Sequence, residues 1–271
     1  MSDSQLLEAM IGAAIEAGRA ACAFHSQDLH IRQKADCSPV TDADQAAEAI
    51  ILERLAAYAT AAPIVAEEQA AAGHVPEATA EFFLVDPLDG TREFVAGRPE
   101  FTVNIALIRR GEPILGVVYA PALGRLFGGD CGSGRAFVSA LSVAEAPRED
   151  LRRTREPIHV RPAPSAGIIA VASRSHGSAE TEAYLARYAI AERVSIGSSL
   201  KFCLVAEGKA DLYPRLGPTM EWDTAAGHAV LAAAGGSVIA ADGRPLRYGK
   251  PQYRNPWFIA SGSLAPLALA S

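Results

Sequence analysis

Glu67 and Glu68 close a short apolar run at 63–66, and Asp86 closes another at 82–85. Asp89 follows after Pro87 and Leu88, and Asp223 stands at the start of a late helix. A carboxylate at the end of a strand is held by a rigid element yet exposed at the sheet edge, where α/β proteins place their ligands. Several such carboxylates with a free backbone carbonyl make an all-oxygen cage, the donor set preferred by hard cations such as Mg2+.

The segment Asp86-Pro87-Leu88-Asp89-Gly90-Thr91 has a physical logic of its own. Pro87 stiffens the turn, so that Asp86 and Asp89 point at one place with the Leu88 carbonyl between them. Gly90 and Thr91 then open a helix whose free N–H groups can hold a phosphate beside the metals. Taken alone, each acid has a plainer reading. Asp-Gly is commonly just a turn, and Asp44 a helix-capping acid. Glu68 reads as a solvated strand end and Asp223 as a partner for its helix dipole. It is the combination that points to a site.

The elements that must position these residues follow from periodicity. Leu6, Leu7, Met10, Ile11, Ala14 and Ile15 recur at helical spacing and predict an amphipathic helix over 4–25. A second helix begins near Thr41, whose hydroxyl caps it with Asp44 three residues on, and Ile50, Ile51 and Leu55 form its apolar face. Strands are expected at 63–66, 82–85, 101–108 and 114–119, the last two joined at the turn Gly111-Glu112-Pro113. The charged, proline-rich stretch 145–164 reads as a boundary. Beyond it the pattern alternates: strand 168–172, helix 179–189, strand 193–196, helix 200–207, strand 210–213, helix 224–234, and final strands near Val238 and Trp257. Such alternation indicates an α/β layer structure, whereas the first half, with consecutive strands, is α+β. The expected division is residues 1–155, carrying most of the metal-binding carboxylates, and residues 156–271, carrying substrate-binding residues and the last metal ligand.

Composition bounds the function. The 271 residues are 49% hydrophobic and 21% charged, in keeping with a soluble globular protein. A formal net charge of -6 argues against a binder of nucleic acid polymers, although bound cations can supply positive charge locally. Cys22, Cys37, Cys131 and Cys203 lie far apart, which suits reduced thiols better than a zinc knuckle or a disulfide framework. No signal peptide is expected from the N-terminus, and no apolar stretch is long enough for a transmembrane segment. The expected location is the cytoplasm, with peripheral attachment at the inner face of the membrane left open.

Val65-Ala66-Glu67-Glu68, then Asp86 to Thr91, then Glu221-Trp222-Asp223-Thr224-Ala225-Ala226-Gly227-His228 resembles the inositol monophosphatase superfamily of lithium-sensitive phosphatases, along nearly the whole chain. Within it, several segments look like the bacterial 3'(2'),5'-bisphosphate nucleotidase subfamily. These are Lys34-Ala35-Asp36 with Ser38-Pro39-Val40-Thr41, the stretches 101–108 and 116–121, Gly197 to Cys203, and Leu212-Tyr213-Pro214-Arg215. Arg92 stands where Lys is common and Ala66 where Ser is common, neither at a metal carboxylate.

The resemblance implies a layered α-β-α-β-α sandwich of the inositol monophosphatase/fructose bisphosphatase type, two or three Mg2+ ions, hydrolysis without a covalent intermediate, and inhibition by Li+. On the matching positions Glu67, Asp86 and the Leu88 carbonyl would hold the first ion. Asp86, Asp89 and Asp223 would hold the second, and Glu67 with water near Asp44 a third, weaker one. A bound metal lowers the pKa of a water; Thr91, hydrogen-bonded to Asp44, would orient that water, so Asp44, Glu67 and Thr91 form the expected catalytic set. The substrate would lie against Glu67, Leu88, Asp89, Gly90, Thr91 and Asp223. A second phosphate would meet Lys201 and Arg215, with Ser198 as a neutral donor. Without the resemblance, Lys201 reads as an exposed helix residue. Ser173-Arg174-Ser175-His176 is a candidate lining for a nucleoside pocket, Lys34 a distant charge or a loop residue, and His228 a packed residue rather than a base.

The implied substrate is a small bisphosphorylated nucleotide such as 3'-phosphoadenosine 5'-phosphate, whose removal would clear a by-product of sulfate assimilation, and a homodimer is compatible with it. Alternatives are an inositol monophosphatase-like or sugar-phosphate phosphatase with the same metals, and a non-catalytic binding module. The intact acids argue against the last.

Overall fold

Apolar residues that alternate along strands with both faces buried, and helices with one long apolar stripe, assemble here into stacked layers. The computed structural model describes residues 2–24, 32–33, 39–59, 62–77, 79–141, 153–173 and 177–269. Helix α1 (Asp3–Phe24) buries Leu6, Leu7, Met10, Ile11, Ala14 and Ile15, the residues whose spacing predicts it. Helix α2 (Asp42–Ala59) starts from a capping box. The Thr41 amide and hydroxyl both donate to Asp44 Oδ2 at 2.7 Å, and the Ala43 amide donates to Thr41 Oγ1 at 3.2 Å.

The first half builds a seven-stranded sheet around these helices. A two-stranded ribbon, β1 (Arg32–Gln33) with β2 (Pro39–Val40), precedes it. The sheet runs in order through β3 (Ile64–Ala66), β4 (Glu81–Asp89), β5 (Thr102–Arg109), β6 (Glu112–Ala120), β7 (Arg125–Asp130), β8 (Arg135–Ala140) and β9 (Arg155–Pro157). β3 and β4 are parallel and the remaining pairs antiparallel. Short helices α3 (Glu67–Ala71) and α4 (Thr91–Val95) leave from the ends of β3 and β4. Glu67 and Glu68 thus begin a helix, so the solvated strand end expected of Glu68 is corrected.

The hairpin turn also differs from the expected Gly111-Glu112-Pro113. Arg110 (φ 54°) and Gly111 (φ 77°) are both left-handed and Arg109 pairs with Glu112. Two such residues form the mirror-image turn that matches strand twist, so Glu112 and Pro113 already belong to β6. Strands β7 and β8 and the short β9 were not anticipated; in β7, Gly128 and Gly129 interrupt the apolar pattern. Those glycines have a packing role. A Cβ on Gly129 would lie 2.6 Å from Val230 Cα, and one on Gly116 2.4 Å from the Ala226 carbonyl oxygen.

The second half alternates as expected: β10 (Ile168–Ser173), α5 (Ala179–Leu185), β11 (Ile190–Ile196), α6 (Leu200–Ala206), β12 (Leu212–Arg215), α7 (Ala225–Ala233), β13 (Ser237–Ala240) and β14 (Phe258–Ser261). The five-stranded sheet has the order β11-β10-β12-β14-β13. α5 stops short of 189 because the Arg187 and Tyr188 amides bond three residues back, to Tyr184 and Leu185, and the Ala189 carbonyl accepts from Ile168. β12 runs two residues later than the expected 210–213. Part of the expected boundary at 145–164 lies outside the described residues, and β9 within it is the last strand of the first sheet.

The buried clusters give the layer order. Phe83, Val85, Val103, Ile105 and Leu107 face α1 and α2, whereas Phe82, Leu84, Ala106 and Ile108 face the other way. That second face joins Phe202, Val205, Val230 and Leu231 of α6 and α7 to Val171, Tyr213 and Phe258 of the five-stranded sheet. On the far side, Tyr184 and Leu185 of α5 cover Ile168, Ala170, Leu212 and Ile259. The sequence of layers is therefore α-β-α-β-α, as expected.

Candidate active site

The end of β4 is not a simple strand terminus. Asp86 pairs with Asn104 but Asp89 pairs with Thr102, so Pro87 and Leu88 form a bulge. A bulge re-aims side chains at a sheet edge, and Pro87 has no amide to lose there. The Leu88 amide donates to Asp86 Oδ1 at 3.0 Å, which fixes that carboxylate. Gly90 then turns the chain into α4 with φ 95°, where a Cβ would press on the Glu100 carbonyl at 3.1 Å. Only glycine suits the position.

A cleft of about 510 Å³ opens at this point. Glu67, Asp86, Leu88, Asp89, Gly90 and Thr91 from the first half line it, together with Ser198, Lys201, Arg215 and Asp223 from the second. Asp44 does not reach the wall. It is buried beneath Thr91, whose hydroxyl lies 3.3 Å from Asp44 Oδ1 and 3.1 Å from the Leu88 carbonyl, able to donate to either. Ser173 lines the cleft as well. Arg174, Ser175 and His176, and likewise Lys34, Ala35, Asp36, Cys37 and Ser38, lie outside the described residues.

Glu67, Asp86 and Asp223 each offer a carboxylate oxygen, and these oxygens lie within 4.8 Å of one another. Asp89 stands beside them with Oδ2 accepting from Ser199 at 3.0 Å and from the Asn104 amide at 3.4 Å. Burial, then repulsion from Asp89 and Glu67, pushes the Asp223 carboxyl well above the ordinary carboxylate range. Burial also raises Asp89, against the pull of Lys201. Dehydrated carboxylates that repel one another are what a divalent cation relieves, and a donor set made only of oxygen suits a hard ion. The residues present therefore fit a metal centre.

Two buried cations share the cleft with the acids. Lys201 is 6% exposed rather than the surface residue its sequence alone suggests, and its ammonium donates to the Ser198 carbonyl. Burial pulls it down to about 8, against the attraction of Asp89. Arg215 is 9% exposed and donates to the Pro218 carbonyl at 2.9 Å. Ser198 is left-handed (φ 54°), a strained backbone at the start of α6 beside the cleft. His228 is buried away from the cleft wall, its Nδ1 3.0 Å from the Tyr248 hydroxyl, and burial pulls it down to about 3. It packs rather than acts as a base.

Three supports went unrecognised in the sequence. Glu48, on α2, accepts the Glu68 amide at 2.7 Å and the Gln69 amide at 2.9 Å, pinning the start of α3 and with it Glu67. Burial raises this carboxyl to about 7, although the Glu68 amide opposes it. Ser199 donates to Asp89 Oδ2 or to the Asp223 carbonyl at 2.8 Å, tying acids of the two halves together. Glu221, wholly buried, accepts the Gly249 and Lys250 amides at 2.7 and 2.9 Å and the Lys250 ammonium at 2.6 Å, which fastens the segment leading to Asp223. Ser199 and Glu221 lie within segments that carry the resemblance, but their supporting role, like that of Glu48, is defined only by partners distant in the chain.

The sequence pattern of the inositol monophosphatase family matches residues 2–267. A Shigella flexneri protein named 3'(2'),5'-bisphosphate nucleotidase CysQ is 45% identical over 87% of this chain and 90% of its own length. A protein of the same name from Haemophilus influenzae is 30% identical over 96% of this chain and 94% of its own. Among solved structures, CysQ from Bacteroides thetaiotaomicron superposes with a TM-score of 0.80 at 38% identity, covering 97% of this chain and 99% of that one. An inositol monophosphatase from Anabaena (Nostoc) gives 0.74 at 28% identity, covering 96% and 92%. Layer order, acid placement and similarity over nearly full length agree: the chain belongs to the inositol monophosphatase family.

Proposed function

We propose that the protein is a Mg2+-dependent 3'(2'),5'-bisphosphate nucleotidase that hydrolyses the ribose 3' or 2' phosphate of a small nucleotide such as 3'-phosphoadenosine 5'-phosphate, leaving AMP and phosphate. The observation that carries this reading is the pairing, in one cleft, of the acidic group Glu67, Asp86 and Asp223 with the buried cations Lys201 and Arg215. A monophosphate on the acidic side gives those cations no phosphate to bind, whereas a bisphosphate offers one to the acids' metals and one to the cations. Relatives similar over most of their length carry the nucleotidase name. Free thiols at Cys22, Cys131 and Cys203 suit the reducing cytoplasm. No helix among the described residues is long and apolar enough to cross a membrane.

Glu67, Asp86, the Leu88 carbonyl, Asp89 and Asp223 are the residues that would hold two or three Mg2+ ions. When bound, such ions neutralise phosphoryl charge and lower the pKa of a water. The chain's own part is positioning. The Leu88 amide holds Asp86, and Glu48 holds the start of α3 beneath Glu67. Thr91 orients the attacking water and passes its proton toward Asp44, whose other oxygen is already fixed by Thr41. Li+ is expected to inhibit.

The test compares kcat/KM for 3'-phosphoadenosine 5'-phosphate, its sulfated parent, inositol 1-phosphate and fructose 1,6-bisphosphate. The nucleotide pair should lead, and Lys201→Ala should raise KM for the bisphosphate about tenfold, the loss of one charged hydrogen bond, with a smaller effect on a monophosphate. Equal effects on both, or a lead for inositol 1-phosphate, would replace this reading by an inositol or sugar phosphatase.

A further inference from the structure

We propose that Arg254 is a specificity-determining residue: from the mouth of the cleft it contacts the second anionic group of the substrate, the phosphate or phosphosulfate that is not hydrolysed. This rests on the nucleotidase reading and adds to it a residue that the sequence did not single out.

The backbone before Arg254 is strained. Gln252 (φ 58°) and Tyr253 (φ 54°) are consecutive left-handed residues, and neither is glycine. A side chain with a Cβ disfavours that conformation, so the surroundings must impose it. They do. The Tyr253 ring packs edge-on to Phe82 and against Trp222, and its hydroxyl donates to the Pro76 carbonyl at 2.9 Å. The Tyr253 carbonyl accepts the Glu221 amide at 2.8 Å. On the other side, the Asn255 amide donates to the Thr219 carbonyl at 3.0 Å and its side chain to the Met220 carbonyl at 2.7 Å. The main chain of Arg254 is thereby clamped opposite Met220 in an isolated antiparallel bridge. Met220 in turn donates its amide to Asp223 Oδ2 at 2.8 Å. The strained turn thus delivers Arg254 to the segment that carries the last acid of the site.

The side chain has no other evident use. Arg254 lines the cleft, is exposed, and has no hydrogen bond, ion pair or aromatic partner among the described residues. Four other arginines, Arg109, Arg125, Arg155 and Arg161, by contrast each hold a carboxylate. The deeper cations are partly engaged, Lys201 with the Ser198 carbonyl and Arg215 with the Pro218 carbonyl. A planar fork of donors at the cleft mouth matches a tetrahedral oxyanion. Lys201 and Arg215 meet the inner side of the second anion, and Arg254 closes the outer side. An exposed charge acts through ground-state binding and encounter, and salt screens it.

The experiment measures kcat/KM for 3'-phosphoadenosine 5'-phosphate and for adenosine 3'-monophosphate, with Mg2+, at low and high ionic strength, on the full chain, R254Q and R254K. The expected result is a fall of about tenfold in the bisphosphate-to-monophosphate ratio for R254Q at low salt, corresponding to ~1.4 kcal/mol. The change should appear in KM, be smaller for R254K and shrink at high salt. A ratio unchanged in R254Q, with the full chain still preferring the bisphosphate, overturns the role of Arg254 and leaves the nucleotidase reading standing. An equal loss on both substrates also overturns it, since that marks a structural role. If the full chain itself shows no preference for the bisphosphate, the nucleotidase reading falls and this inference falls with it.

Discussion

Asp223 and Asp89 are dehydrated, close to Glu67, and mutually repulsive until a cation is bound. The same charges should therefore weaken the metal-free protein and drive turnover in the loaded one. Asp223→Asn removes one charge while leaving an oxygen to accept the Met220 amide, now 2.8 Å from Asp223 Oδ2. Phosphate release is expected to fall at least about a hundredfold, the scale of losing one electrostatic stabiliser of a transition state. The metal-free variant should melt no lower than the wild type, because a buried like-charge contact has gone. Added Mg2+ should raise the wild-type Tm by mass action and leave the variant nearly unmoved. Near-native phosphate release, or an equal Mg2+ shift in both proteins, would remove Asp223 from the proposed ligands.

At the scale of elements, the sequence was most informative where chemistry and secondary structure share a boundary. Asp89 ends β4, Asp86 stands just before the bulge in it and Asp223 precedes a helix start, so local periodicity already located them, and Thr41 with Asp44 announced α2 by its capping box. Glu48 could not be read in this way. It lies one turn after Asp44 on the same helix, amid alanines and other acids, and matters only because α3 begins where its carboxylate waits. One helix thus braces Thr91 through Asp44 and Glu67 through Glu48. Strand β7 was illegible for a related reason: Gly128 and Gly129 weaken its strand pattern, Gly128 to admit the Phe137 ring and Gly129 to admit α7. That close approach yields a prediction. In Gly116→Ala the new Cβ would lie 2.4 Å from the Ala226 carbonyl oxygen, a backbone atom that yields only if α7 moves. Overpacking of this type costs about 1–3 kcal/mol, and in a chain somewhat larger than 250 residues each kcal/mol lowers Tm by roughly 2–4 °C. Because Asp223 lies just before α7, kcat should fall with Tm. A variant as stable and active as the wild type would mean that helix and strand are not in such close contact.

For the whole molecule, the middle layer decides acid stability, because α6 and α7 join the two sheets and carry charges that must be kept in one state. Burial first, and the Lys250 charge second, hold His228 down to about 3, whereas an unfolded imidazole titrates near ~6.5. Below that value the unfolded chain binds a proton that the folded one refuses. Stability complete above pH 6.5 is therefore lost progressively as pH falls toward 3. Asp211 adds a second, more acidic loss. Burial favours its proton, but Arg161, donating at 2.8 and 2.6 Å, and the Ile169 amide at 2.7 Å together leave its carboxyl below the ordinary value. That contribution is present above the unfolded value near ~3.9 and disappears as pH falls through the lowered one. The raised carboxyls of Glu48, Asp89 and Asp223 act with the opposite sign, gaining stability as pH falls. The His228 loss is therefore read as a difference in Tm between the wild type and a variant without the imidazole. His228→Asn, whose amide can still meet the Tyr248 hydroxyl, should gain in Tm relative to the wild type as pH falls from about 6.5 to 5, while both proteins share the Asp211 loss at lower pH. A variant whose Tm follows the wild type in parallel across that upper window would show that His228 does not contribute to the acid limit of the fold.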